Sequence, residues 1–182
     1  MTAVDLSSVV GLITLCLLTS NILLGLLLST KYNTVRQWPR RRLPVFQVHN
    51  WTGYLALSCA LLHPAILLAS KSAGFHLPDV LYPVHSPHQS LYNCLGAAAL
   101  YLLIFVVVTS YFRPQLGNRR WKPLHYTAYA SAALFYIHAL LIDPNLKDRP
   151  TDWLDGEKVL VEGCILIAVT AIGWRVKAAL RS

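Results

Sequence analysis

RRRLPVFQVHNWTGYLALSCALLHPAILL, residues Arg40 to Leu68, is long and apolar enough to cross a bilayer, yet it holds two histidines, His49 and His63, fourteen residues apart. A second stretch, RRWKPLHYTAYASAALFYIHALL from Arg119 to Leu141, holds His125 and His138, thirteen residues apart. Each run follows a basic cluster and carries one histidine near its start and one near its end. Ionisable groups inside a membrane are costly and tend to mark function. Two matched pairs on two spans suggest a ladder of two metal centres across the membrane, with bis-histidine haem as the candidate group.

The rest of the composition agrees with a membrane chain. Of 182 residues, 55% are hydrophobic and 13% charged, too apolar and too charge-poor for an ordinary soluble domain. Five runs approach or exceed spanning length: roughly Ser8–Thr30, Val45–Ser70, Leu91–Phe112, Leu124–Ile142 and Lys158–Val176. All are read as helices, since an open sheet leaves backbone groups unsatisfied in lipid. The expected fold is an all-α integral membrane protein, a five-helix transmembrane bundle forming a single domain over residues 1–182. The first run is read as a span rather than a signal peptide, because no basic residue precedes it and no small-residue cleavage site follows.

Charge sets the expected orientation. Lys31, Arg36, Arg40, Arg41, Arg42, Arg113, Arg119, Arg120, Lys122, Arg175, Lys177 and Arg181 account for twelve of the 16 basic residues, and a five-span arrangement puts them all on one side. All eight acids fall on the other. The positive-inside rule then places the N-terminus outside and the C-terminus in the cytoplasm. The net charge of +8 is thus mostly topology. No nucleic-acid partner is expected, because the basic residues flank spans and form no separate domain. Cys16, Cys59, Cys94 and Cys164 show no CxxC spacing, so they read as packing residues, and CxxCH haem attachment is absent.

The histidines can be paired by level. Fourteen residues of α-helix rise about 21 Å and make nearly four turns, so His49 and His63 share roughly one face. The fourth run travels in the same direction as the second. His125 therefore meets His49 near the cytoplasm, and His138 meets His63 near the outside. Thirteen residues turn about 3.6 times, which points His125 and His138 apart unless side-chain reach or a distorted turn absorbs the difference. A single membrane histidine can be a hydrogen-bonded core residue; four at matched depth favour metal ligation.

Other features are weaker. The loop KSAGFHLPDVLYPVHSPHQS, Lys71–Ser90, holds His76, His85 and His88 but no ligand set of recognised spacing, and reads as a surface loop. The first run reads as a packing helix whose Thr19, Ser20 and Asn21 can bond neighbouring helices. Gly96 to Ala99 offer a small-residue face, and Glu162 reads as an interfacial carboxylate.

HNWTGYLALSCALLH and TSYFRPQLGNRRWKPLHYTAYASAALFYIH together resemble the ferric reductase-like transmembrane domain, the haem-carrying membrane part of ferric reductases and NADPH oxidases. The resemblance covers about residues 40–142. It implies that His49, His63, His125 and His138 are axial ligands of two b-type haems, paired 49/125 and 63/138. Full-length reductases of that family append a module binding FAD and NAD(P)H and have six spans; here no dinucleotide Gly-rich motif follows a strand, so no FAD or NAD(P) site is expected. The membrane haem subunit of the periplasmic methionine sulfoxide reductase system is related and also lacks the module.

The functional expectation is a multi-pass cytochrome b of a cell membrane, such as a bacterial inner membrane. It would carry electrons from a separate cytoplasmic flavoprotein reductase or quinol to an external acceptor, with lipid as its solvent. Two alternatives stand beside it: a haem-bearing anchor subunit that feeds a periplasmic redox partner, and a non-redox transporter whose histidines relay protons.

Overall fold

The computed structural model describes residues 2–29, 44–71, 73–143, 146 and 152–181. Lys31, Arg36, Arg40, Arg41, Arg42, Lys147 and Arg149, which contribute to the charge argument, lie outside the described residues. Every regular element described is helical: α1 Ala3–Ser29, α2 Val45–Leu68, α3 Leu77–Leu81, a 3-10 turn Pro83–His85, α4 Ser90–Tyr111, α5 Arg113–His125, α6 Thr127–Leu141 and α7 Gly156–Leu180.

Four of these helices, α1, α2, α4 and α7, are long and apolar enough to cross a membrane. The shortest of them has 22 residues, about 33 Å at 1.5 Å per residue, which matches a hydrocarbon core of about 30 Å. The fourth run departs from expectation. It is divided between the end of α5 and α6, which has 15 residues and falls short of a full span by itself. The division sits at Tyr126, just after Pro123. Pro123 has no N–H to donate to Arg119 O, which weakens the turn before the division. Tyr126 N–H donates to Lys122 O (3.2 Å) and Tyr129 N–H to Tyr126 O (3.1 Å), a tightened turn joining the two pieces. Farther back, Gly117 takes φ 71° and ψ 158°, a conformation open to glycine, and there the chain turns between α4 and α6.

The interior is built from small residues. Ala56 and Ala99 are fully buried, with Ser7, Ser131 and Ala168 nearly so, whereas Trp51, Leu166 and Val169 are among the large residues facing outward. That inversion suits a lipid solvent, where close backbone approach rather than apolar burial holds helices together. Ser131 Oγ donates to Ala99 O (2.8 Å), binding α6 to α4. Thr19 Oγ1 and Tyr136 OH lie 2.8 Å apart, joining α1 to α6.

α1 packs along α2, α4 along α6, and α7 closes the bundle against α1 and α6. The two histidine-bearing segments are different. Among the described residues, no Cα of α2 lies within 8 Å of a Cα of α6. Helices in direct contact have axes about 8–10 Å apart and approach more closely at their small residues. A slot therefore runs between α2 and α6, and α1 and α4 flank it.

Candidate functional site

The slot is where the four histidines meet. His49 and His125 have ring centroids 6.1 Å apart with ring planes at 70°. His63 and His138 have centroids 6.4 Å apart with planes at 75°. The rings thus come together in the level pairs expected from the spacing, and the second and fourth runs travel in one direction. The thirteen-residue interval is not one continuous helix: His125 ends α5 and His138 lies in α6, with Tyr126 between them.

The separations suit a shared metal. Two imidazoles bound end-on to one metal, with bonds of about 2.0–2.1 Å and ring centres about 1.1 Å behind each nitrogen, have centroids about 6.3 Å apart.

The other ring nitrogen is held in every case. His63 Nδ1 lies 2.7 Å from Ser7 O. His138 Nδ1 lies 2.7 Å from Tyr92 O. His49 Nδ1 lies 3.1 Å from Asn21 O. A carbonyl oxygen only accepts, so in these three rings Nδ1 carries the proton and Nε2 keeps its lone pair for a metal. His125 differs. Its Nδ1 lies 3.1 Å from Ser110 Oγ, and the same hydroxyl accepts from Trp121 Nε1–H at 3.3 Å. Trp121 stacks on the His125 ring, centroids 4.7 Å apart, and the Arg113 guanidinium lies over the indole at 4.3 Å.

Three rings also lean on glycine. A Cβ built on Gly11 would lie 3.1 Å from His63 Cε1, one on Gly25 3.3 Å from His49 Cε1, and one on Gly96 2.9 Å from His138 Cε1. Ser7 and Gly11 on α1 serve His63; Asn21 and Gly25, fourteen residues further on, serve His49, the same interval that separates His63 from His49 on the antiparallel α2. Asn21 adds two bonds, donating Nδ2–H to His49 O (2.6 Å) and Thr52 Oγ1 (2.7 Å). α1 is thus part of the site, and reading it as a packing helix missed this. A signal was present in the sequence: a polar residue and a glycine four apart, repeated at the histidine interval.

The outer pair lines a cleft of about 100 Å³. Ser7, Gly11, His63, Asn93, Phe135 and His138 line it, with Asp143, Glu157 and Lys158 at one end. The slot, the ring separations, the Nδ1 bonds that leave Nε2 for a metal and the glycines beside three of the rings are compatible with a flat metal macrocycle held between α2 and α6 at each level.

The remaining histidines are elsewhere. His76 caps α3, its N–H donating to Asp79 Oδ2 (2.8 Å), and His88 packs its ring against Phe75 at 6.2 Å. His85 is exposed in the 3-10 turn. No group of three or more His, Cys, Asp or Glu side chains able to hold a metal ion occurs among the described residues. Gly96 turns out to face His138 rather than merely thin a packing face, and Glu162 is exposed, away from the cleft.

No curated protein and no solved structure matches this chain. A family model described as ferric reductase like transmembrane component matches residues 10–136, from α1 into α6. The match begins at residue 10 rather than about 40, so it takes in Gly11 and the α1 acceptor Asn21 along with the first three of the four histidines. With four apolar helices of spanning length and this match over most of its length, the chain is a multi-pass membrane protein that belongs to the ferric reductase-like transmembrane component family.

Proposed function

We propose that this protein is a membrane cytochrome b that carries electrons across the bilayer through two bis-histidine b haems, one held by His49 and His125 and one by His63 and His138. The observation that carries this reading is the pair of ring separations, 6.1 and 6.4 Å, across a slot that keeps α2 and α6 apart. When bound, such a group supplies one-electron redox chemistry at its iron.

The chain's own part is to bind, orient and tune. His49 and His63 on α2 fix the two levels about 21 Å apart. Asn21, Ser7 and Tyr92 carbonyls accept from three Nδ1–H groups, which locks the tautomers and raises ligand basicity. With two histidines to hold it at each level, such a group would favour electron transfer over binding of an external ligand. Gly11, Gly25 and Gly96 let the flanking helices close onto the rings.

α6 with the preceding turns of α5 supplies the fifth crossing, so the N-terminus lies outside and the C-terminus in the cytoplasm. Electrons enter at the His49/His125 level from a separate cytoplasmic flavoprotein or from quinol. They leave at the His63/His138 level to an external acceptor. A reporter fused after Ser182 should read as cytoplasmic; an external signal would reverse the two levels.

The direct test is haem content. Pyridine haemochromogen assay of the purified chain, expressed with ample haem, should give two b haems per chain, and a reduced-minus-oxidised spectrum should show both. A ratio near zero would sink the redox reading and leave a transporter with proton-relaying histidines.

A further inference from the structure

Lys158, near the start of α7, is 5% exposed. Its Nζ donates to Ala139 O (2.9 Å) and Ile142 O (2.5 Å). Both acceptors belong to the end of α6, the helix that carries His138, and Ile142 N–H itself donates to His138 O (2.9 Å). Late carbonyls of a helix lack partners within it, and a cation there is favoured by the helix dipole. Lys158 therefore clips the end of α6 and fixes the height of His138.

Glu157, Asp143 and Asp155 lie near enough to interact with its charge. Both acceptors are neutral carbonyls, and a lysine ammonium has three donors. Lys158 also lines the cleft beside His63 and His138, and it is the only cation among the described residues that do so. Asp143 and Glu157 line the same end. Glu157 accepts from Ser8 Oγ (3.1 Å), which directs it toward α1. A group carrying carboxylates of its own would meet only like charge at that end if Lys158 were absent, and charge interactions are strong in a space shielded from water.

We propose that Lys158 is the counter-cation of the outer centre: its ammonium pairs with a carboxylate of the group held by His63 and His138 and raises that centre's reduction potential. This rests on the haem reading above, and the carboxylate is then a haem propionate. His63 and His138 each donate Nδ1–H to a backbone carbonyl, which makes both ligands more basic and favours ferric iron. A fixed positive charge nearby acts the other way, because the reduced centre carries one more electron. Lys158 is thus a positioning and tuning residue, touching the cofactor's edge rather than its iron.

The test uses the full chain with haem bound, comparing wild type, Lys158→Arg and Lys158→Gln by haem content and by spectropotentiometric titration. Lys158→Arg should keep two haems and a wild-type outer potential. Lys158→Gln should lower the outer potential so that, at a fixed ambient potential, its reduced-to-oxidised ratio falls about tenfold, or 59 mV for a one-electron couple, with the inner haem unchanged. Loss of the outer haem in Lys158→Gln alone, with Lys158→Arg intact, would equally support the charge role. An unchanged outer potential in Lys158→Gln, or loss of the outer haem in both variants, would reduce Lys158 to a clip on α6 and overturn the proposal. Wild-type protein devoid of haem would instead bring down the haem reading itself, a result visible before any variant is compared.

Discussion

Gly96 on α4 stands so close to His138 on α6 that a Cβ added to it would lie 2.9 Å from Cε1 and 3.0 Å from Nδ1 of the ring. Real side chains essentially never sit that near, so either the ring or the helix must move. His138 Nδ1 is bonded to Tyr92 O, one turn before Gly96, so the ring is held against α4 and has little room to yield. Gly96→Ala should therefore displace His138, release the outer haem and cost roughly 1–3 kcal/mol of stability through overpacking. Gly25→Ala, where the contact with His49 would be 3.3 Å, should be milder and should affect the inner haem. Haem per chain near one for Gly96→Ala and near two for Gly25→Ala would bear this out. A full complement with an unaltered outer potential in Gly96→Ala would contradict it.

The level pairing makes a prediction about shared phenotypes. His63→Ala and His138→Ala should each remove the outer haem and leave the inner one, stopping delivery to an external acceptor. His49→Ala and His125→Ala should each remove the inner haem and block electron entry. Redox titration of the four variants reads this directly. A phenotype shared by His49→Ala and His63→Ala, but not by His125→Ala, would mean ligation along one helix, contrary to the 6.1 and 6.4 Å separations.

Ser110 is a subtler case. Its hydroxyl is the partner of His125 Nδ1 and also accepts from Trp121 Nε1–H. Ser110→Ala leaves both nitrogens without that oxygen. Partners of metal-bound histidines typically contribute about 10–100-fold in affinity. Loss of inner haem on dilution or competition should therefore increase by a factor in that range, with the outer haem unaffected. Equal retention of both haems would show that Trp121 stacking alone orients His125.

The ring planes cross at 70° and 75°, close to perpendicular. Two axial imidazoles crossed in this way leave the iron d orbitals that they perturb nearly equal in energy. Ferric low-spin haem should then show a highly anisotropic electron paramagnetic resonance spectrum at both centres. Ordinary rhombic low-spin spectra, the signature of parallel ligand planes, would mean that the rings rotate on binding.

Hydropathy and spacing determined much of this protein by themselves. α1, α2, α4 and α7 coincide with four of the apolar runs, because a spanning segment must satisfy its own backbone and so announces itself over about twenty residues. That the His49 ring lies near His125 and the His63 ring near His138 was also expected, since level follows from rise per residue along runs of one direction. Only the tertiary structure decided what surrounds those rings. Which carbonyl meets which Nδ1 depends on the register between antiparallel helices, and no single segment encodes that register. Asn21 was legible as a residue able to bond a neighbouring helix, but Ser7, Gly11 and Gly25 sit in an apolar helix with Asp5 as its one charge, so a reading led by charge passed over them. The thirteen-residue spacing raised the need for side-chain reach or a distorted turn, and the structure divides α5 from α6 at Tyr126. Lys158 counted in the sequence as one of a few outside charges. Its burial between the end of α6 and the cleft arises because α7 packs there against the helix that carries His138.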